Sequence, residues 1–399
     1  MRSTRAIAAT SMSLVFALAA LPASAALPDI DLSGFGTAGF AFTSTGKAEY
    51  ARSQDFFTGA NDEGDVGVDS LIAIQGTVHL TDMFSATAQV MARRLYSTGF
   101  EVDVPVFFAK ADLTHDLSIR VGRIQMPVFM VSDYRQVGYS NTWLRPPVEV
   151  YGQIPFDSDD GGDIIYRKTL GPVDISAQAF YGKTDANFPS ATVQSRSNWG
   201  ADVNVTVGPL SLRAGRDQSR FTAFSAAQTQ LLGAISAAGF PALANHLNPS
   251  NIPFQFTEFG FSLDGTHLQL QGEAIKFTAS GSFVASSDGQ YVLAGYRVGK
   301  FTPYGMYARE KITSARTDTT IPPVGPLLPL AQAVDQLINS VGADQHTVSA
   351  GMRWDLHESV DMKFQVDRVS PQGNGLFINP QPGFHGPVYV GSLLIDFVF

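Results

Sequence analysis

Arg93, Lys110 and Arg120 recur at one parity of three consecutive segments in which apolar and polar residues alternate. Every second residue of an extended chain points to the same face, so these cations can stack side by side on one polar surface. Downstream, the stretch from Gln125 to Gly162 carries the opposite sign in Asp133, Glu149, Asp157, Asp159 and Asp160. It also holds Tyr134, Tyr139, Trp143 and Tyr151, and Pro146-Pro147 stiffens it. A basic ladder facing acidic loop residues sets a transverse field across a narrow polar gap. That is chemistry for ranking charged solutes rather than for breaking bonds. Arg213, Arg353 and Lys363 share the polar parity of later segments with Glu258, Glu273, Asp355 and Asp361, so the field is mixed in sign. The expectation is a weak anion preference near Arg93 and Arg120, offset by the acidic stretch. Arg94 and Arg123 fall on the opposite parity and are expected at a membrane rim.

Bond-making chemistry has little to stand on. The seven histidines are scattered without metal-type spacing, and no G-x-S-x-G elbow is present, so no catalytic residue is assigned and no enzyme is expected. The absence of cysteine excludes thiolate metal sites, cysteine catalysis and a small disulfide scaffold. Two acidic, Gly-rich runs, Asp157-Ser-Asp-Asp-Gly-Gly-Asp163 and Asn61-Asp-Glu-Gly-Asp65, have the composition of calcium loops. Neither has the EF-hand spacing with its closing Glu, so solvated acidic loops are preferred and no cofactor is expected, with calcium there as the alternative. The net charge of −9 becomes −11 when Arg2 and Arg5 are removed with the leader described below, which argues against a nucleic-acid partner.

The elements that must position these charges are strands. Segments of roughly 8 to 13 residues alternate along the chain. Phe84, Ala86, Ala88 and Val90 oppose Ser85, Thr87, Gln89, Met91 and Arg93, and Leu117, Ile119 and Val121 oppose Ser118, Arg120 and Gly122. Val360, Met362, Phe364 and Val366 oppose Asp361, Lys363, Gln365 and Asp367. Very short turns, such as Thr81-Asp82, Gly208-Pro209 and His357-Glu358-Ser359, alternate with long connections near 43–69, 96–103, 126–162, 184–196, 218–253, 278–289, 312–344 and 371–386. A soluble β-sandwich or exported adhesin also alternates, but it does not keep short and long connections in strict succession. The pattern predicts an all-β, antiparallel up-and-down transmembrane barrel of about 16 strands, with short periplasmic turns and long external loops. A mean hydropathy of +0.04 does not oppose this, because lipid-facing and lumen-facing residues cancel in a window average.

Both ends fit that layout. Arg2 and Arg5, the apolar run Met12 to Leu21 and Ala23-Ser24-Ala25 read as a signal peptide over residues 1–25, leaving 26–399 as a single barrel. At the other end Leu393, Ile395, Phe397 and Phe399 share one face and Asp396 falls on the other, a greasy stripe that suits a strand closing a ring against the strand beginning at Leu32. Helical spacing of Leu231, Leu232 and Ile235, and of Leu330, Val334, Leu337, Ile338 and Val341, predicts two short loop helices capping the barrel mouth or a neighbouring subunit.

With the signal-like start, the absence of cysteine and about 16 strands, the ending Leu393-Ile-Asp-Phe-Val-Phe399 resembles the bacterial outer-membrane porins. The stretches Arg120-Val-Gly-Arg-Ile-Gln-Met-Pro127 and Trp143-Leu-Arg-Pro-Pro-Val-Glu-Val-Tyr151 are similar to a group of proteobacterial members. The resemblance implies residence in the outer membrane of a Gram-negative bacterium, in contact with the lipid bilayer and lipopolysaccharide, and assembly as a homotrimer. It implies that Phe397 and Phe399 belong to the signal read by the barrel-assembly machinery. It also implies basic residues on the early strands, and a connection after the fifth strand (126–162) folded into the lumen as a constriction. The expected function is passive diffusion of small hydrophilic solutes. A substrate-specific channel, or a non-conducting barrel acting as adhesin, scaffold or enzyme, is the alternative.

Overall fold

The computed structural model describes residues 29–53, 56–154, 156–188, 191–280, 283–340 and 342–399; the leader over residues 1–25 and the helical position Val341 lie outside them. The strands in chain order begin with β1 (Asp29–Thr43), β2 (Leu71–His79), β3 (Phe84–Arg93), β4 (Glu101–Asp112) and β5 (Leu117–Gln125). Next come β6 (Ser158–Leu170), β7 (Val173–Asn187), β8 (Thr192–Val207), β9 (Leu210–Phe224), β10 (Ile252–Asp264) and β11 (Leu268–Ala279). The last are β12 (Ser287–Tyr296), β13 (Phe301–Ile312), β14 (Gln345–His357), β15 (Val360–Pro371) and β16 (Val388–Val398). Each strand pairs antiparallel with its chain neighbours, and β1 pairs with β16, so the 16 strands close into one barrel without an open edge.

Alternation sets the two faces. Ile72, Ile74, Phe107, Val121, Trp199, Phe364 and Val366 are exposed on the outside, while their strand neighbours turn inward. Leu393 and Ile395 of β16 and Phe399 directly after it are exposed, and Phe397 stacks on Phe399 with ring centroids 6.5 Å apart. These two rings lie against Gly36 and Gly34 of β1, where a Cβ would collide with them, so the glycines let the closing strand seat its aromatic end. Asp396 points inward and is fully buried, accepting from Thr37 Oγ1 and from Lys363 Nζ. Its parity, opposite to that of Leu393 and Ile395, turns it into the packed lumen.

Turns at one end are tight. Gly171 and Gly208 hold φ of +61° and +55°, a conformation in which a side chain would crowd the next carbonyl. At the other end, four of the long connections are shorter than expected, one of them because β11 runs to Ala279 and β12 starts at Ser287. β7 and β8 continue to Asn187 and from Thr192, and β9 runs on to Phe224. The connection after β5 ends at Asp157, because Asp159, Asp160, Gly161 and Gly162 pair with β5 as the start of β6. A Gly-rich acidic run reads as a turn, but cross-strand pairing with Arg120 and Arg123 holds it extended.

Three α-helices lie in the loops at the long-loop end. They are α2 (Ala226–Ala237), α3 (Pro241–His246) and α4 (Leu328–Ile338), and they follow a single-turn helix, α1 (Val148–Tyr151), in the connection after β5. Ile235, Leu243, Leu247, Phe283, Ile321, Ala331, Val334 and Leu337 form one apolar cluster, so α2, α3 and α4 bury their greasy faces on one another above the barrel. Among the described residues no helix is long and apolar enough to cross a membrane.

Candidate functional site

The segment 126–157 leaves β5 and returns to β6 through the inside of the barrel, and its partners are inward-facing wall residues. One side is held by apolar packing. Met126, Val128, Phe129, Val131, Trp143, Val150, Tyr151 and Ile154 share a core with Phe180, Phe256, Ile275, Tyr291, Leu293, Tyr304 and Met306 of β7 and β10 to β13. Phe129 meets Phe256 edge-on with centroids 5.2 Å apart, and Trp143 meets Tyr291 at 5.4 Å. The lumen here is filled by apolar side chains. The inward parity of β10, Ile252-Phe254-Phe256, carried that signal, since apolar residues facing a lumen need something apolar to cover them.

The other side is held by ion pairs. Arg145 is buried and donates from Nε (3.0 Å) and Nη2 (2.6 Å) to Asp69, from Nη2 to Ser392 Oγ (2.6 Å), and from Nη1 to Asp367 (3.4 Å). Its guanidinium lies 5.1 Å over the Tyr50 ring. Burial alone would pull the Arg145 pKa down, but Asp69 and the neighbouring acids outweigh it and hold the charge firmly on. Lys363 donates to Gly138 O at 2.6 Å, and Arg353 to the carbonyls of Tyr139 (2.7 Å) and Asn141 (3.1 Å). Two walls therefore grip one segment by different forces.

The residues singled out in the sequence divide sharply. Arg93 is inward and bonded to Asp157 (2.6 Å) and Asp103 (2.9 Å), and Asp157 also pairs with Arg135. Arg120 chelates Asp163 through Nε (3.0 Å) and Nη2 (2.5 Å), and Lys110 pairs with Asp112 at 2.8 Å. Lys110 and Arg120 stand directly opposite each other, but the β3 partner of Lys110 is Ser85, whereas Arg93 pairs with Glu101. The three-cation stack is thus corrected to a pair plus a remote arginine, because register rather than parity fixes height along the barrel. Arg213 is bound by Asp202 (2.8 Å) and Glu258 (2.9 Å) and donates to Pro127 O. Arg353 adds Asp355 at 2.8 Å and Asp361 at 3.1 Å to its loop contacts.

Among the acids, Asp133 is exposed on the segment and interacts electrostatically with Arg120 of β5 and Asp202 of β8. Glu149 is buried instead. It is 1% exposed on α1 and accepts from Gln345 Nε2 at 2.8 Å and from Thr347 Oγ1. Burial pushes its carboxyl up, opposed by those two donors. Asp159 is buried inward against Thr184 and Asn198, whereas Asp160 turns outward to chelate Arg123 at 2.7 and 3.0 Å, so neither lines the loop. The acids of Asp157–Asp163 therefore diverge to separate partners instead of converging on a cation. Around Asn61–Asp65, Asp65 takes Gly67 N, Val68 N and the buried Arg94, bidentate at 2.6 and 2.7 Å. Arg94 thus sits beneath a loop rather than at the rim, because β3 ends one residue before it. Arg123 does face outward.

Arg135, Arg145, Asp69 and Asp163 were missed as site residues. A cavity of about 300 Å³ at the long-loop end has as its charged lining Arg52, Arg93, Arg94, Arg123, Arg135 and Lys183 together with Asp103, Asp157, Asp160 and Asp185. These charges come from segments far apart in sequence, and their spacing gave no sign of it.

The fold has counterparts among known proteins. A family model described as Gram-negative porin matches residues 8–374. No curated protein matches in sequence. Among solved structures, the outer membrane channel DcaP of Acinetobacter baumannii is similar, with a TM-score of 0.56 at 10% identity, over 94% of this chain and 98% of that one. The anion-selective porin from Comamonas acidovorans is similar with a TM-score of 0.54 at 12% identity, over 93% and 100%. OmpT of Vibrio cholerae in a trimer form gives 0.54 at 10% identity, over 94% and 100%. The chain belongs to the Gram-negative porins, and its closed barrel is an outer-membrane channel for passive diffusion.

Proposed function

We propose that small hydrophilic solutes cross through the gap between the Asp133–Tyr134 edge of segment 126–157 and the inner wall of β4, β5, β8 and β9. Asp133 and Tyr134 are exposed on that edge, whereas Met126 to Val131 and Asn141 to Tyr151 are mostly packed against the wall. The segment sets the size limit, and the charges about the gap set the preference. Arg120 is balanced by Asp163, and Arg213 faces two acids, Asp202 and Glu258. Asp133 adds a negative charge to this balance, so the gap favours cations. The weak anion preference expected near Arg93 and Arg120 loses its footing, because both guanidiniums are held by carboxylates.

The observation that carries this reading is the exposed Asp133 opposite paired guanidiniums. Reversal potentials across a KCl gradient in planar bilayers test it. Wild type should lean to cations, and Asp133→Asn should move the potential toward anions. An unchanged potential would place the filter elsewhere, and a wild-type barrel without conductance would overturn the pore.

The long-loop end faces outside in this reading, with lipid on the apolar band and lipopolysaccharide at its upper edge. Assembly as a homotrimer is supported by the trimer form of the similar OmpT. The reading of the protein as a conduit rather than an enzyme is supported by its porin family and closed barrel. Calcium has no place in this mechanism.

A further inference from the structure

A second cavity, of about 400 Å³, opens at the long-loop end above the inserted segment. Its floor is Gly152, Gln153, Ile154 and Phe156, so a solute approaching the gap from outside passes over it. Its walls are aromatic, with Phe188, Phe221, Phe254, Phe277 and Phe283 joining Phe156. Phe221 meets Phe254 edge-on at 5.5 Å, and Phe254 meets Phe277 at 5.1 Å with planes 34° apart. A concave apolar site of a few hundred Å³ holding a few polar groups is the usual form of a small-molecule site.

The polar groups indicate what would fill it. Glu310 is the only charged residue lining the cavity among the described residues, and it is 2% exposed. Its Oε1 accepts from Ala343 N at 3.3 Å, while Oε2 has no hydrogen-bond partner among the described residues. Gln228 Oε1, also on the cavity wall, is likewise without a donor. Two buried acceptors lacking donors are costly unless an occupant supplies N–H groups. An anion would oppose Glu310, and an uncharged hydrocarbon would leave both oxygens unsatisfied. An ammonium satisfies both, and phenylalanine faces attract it in addition.

We propose that this vestibule binds organic cations that carry an aromatic ring. The ring sits among Phe221, Phe254 and Phe277, and the ammonium reaches Glu310 Oε2 and Gln228 Oε1. The proposal rests on the channel reading and gives that channel a substrate class, captured before the gap. It does not depend on the basic cavity beside it, which shares only Ile154 and Phe156 with it.

Phenethylammonium added to the long-loop side of reconstituted channels tests it through current block. Wild type should show saturable block by phenethylammonium and none by benzoate at the same concentration. Glu310→Gln and Phe254→Leu should each weaken block tenfold or more while the open-channel conductance stays near wild type. Should Glu310→Gln not assemble, Gln228→Leu on the surface helix α2 must weaken block in its place. Equal block by benzoate, or block untouched by these substitutions, overturns the proposal. Ohmic conductance with no block overturns it too and leaves passive diffusion standing, whereas a wild-type barrel that does not conduct removes both.

Discussion

Arg145 grips Asp69 through two nitrogens, Nε at 3.0 Å and Nη2 at 2.6 Å, and so ties the inserted segment to the connection before β2. Both side chains are almost fully buried, and Asp367 lies within 3.4 Å of the same guanidinium. One cation thus holds two carboxylates in place.

Removing that cation strands both acids. Breaking a buried pair from one side costs about 3–5 kcal/mol, because an uncompensated charge stays behind. Arg145→Met is therefore expected to lower the temperature at which the folded gel band converts to the unfolded one. It should also loosen the segment, raising single-channel conductance and open-channel noise. A variant with wild-type melting and quiet currents would show that the segment is held without Arg145, by the apolar packing around Trp143 and Tyr151 and the bonds from Lys363 and Arg353.

Glu149 gives the segment a pH dependence. Burial holds its carboxyl above the ordinary carboxylate range, so the folded protein keeps this proton more tightly than the unfolded chain does. Its contribution to stability is full at acid pH below the ordinary range. It is lost as pH rises from the ordinary value through the raised one. Anchoring of α1 against β14 should weaken over that window and appear as more current noise. Glu149→Gln keeps an acceptor for Gln345 and Thr347 but cannot ionise, so its noise should not vary with pH there. Noise that rises equally in both proteins would assign the effect to another group.

The closing seam makes a separate prediction. Phe399 N donates to Gly34 O at 3.0 Å and Gly34 N to Phe399 O at 2.9 Å, and its ring covers the glycine. Deleting Phe399 removes both bonds and half of the stacked pair with Phe397. The fraction of heat-modifiable barrel in outer-membrane preparations should fall several-fold. Gly34→Val, which keeps the terminus but displaces the ring, should lower it as well. Normal assembly of both variants would remove these aromatics from the assembly signal.

How far the sequence could be read depends on the kind of question. Parity is local, so the outward run of Leu393 and Ile395, and the inward placing of Lys363 and Arg213, followed from period-2 alternation alone. The strand count followed because short turns such as Gly208-Pro209 mark every second connection. Height along the barrel is not local. A register shift between Gln89 and Met91 lies between Ser85, which faces Lys110, and Arg93, which faces Glu101. Nor is burial within an irregular segment legible. Glu149 and Asp133 look alike in sequence, and only the packing of α1 against the wall separates a buried anchor from an exposed charge. Asp160 looked like a loop acid because glycines follow it, yet pairing with Arg123 keeps it in β6.

That difference in height yields the last prediction. Arg93 lies eight residues beyond Ser85 on β3, and Ser85 is the partner of Lys110 beside Arg120. At roughly 3.4 Å per residue this separates the two arginines by about 27 Å. Sites so far apart without shared partners act independently. Arg120→Ala frees Asp163 beside the gap, where Asp133 already stands, so cation preference should rise clearly. Arg93→Ala frees Asp103, but Arg135 still holds Asp157, so the shift should be smaller. The double variant should show the sum of the two reversal-potential shifts. A double shift well beyond that sum would mean that the arginines share one field. Equal single shifts would place Arg93 at the gap after all.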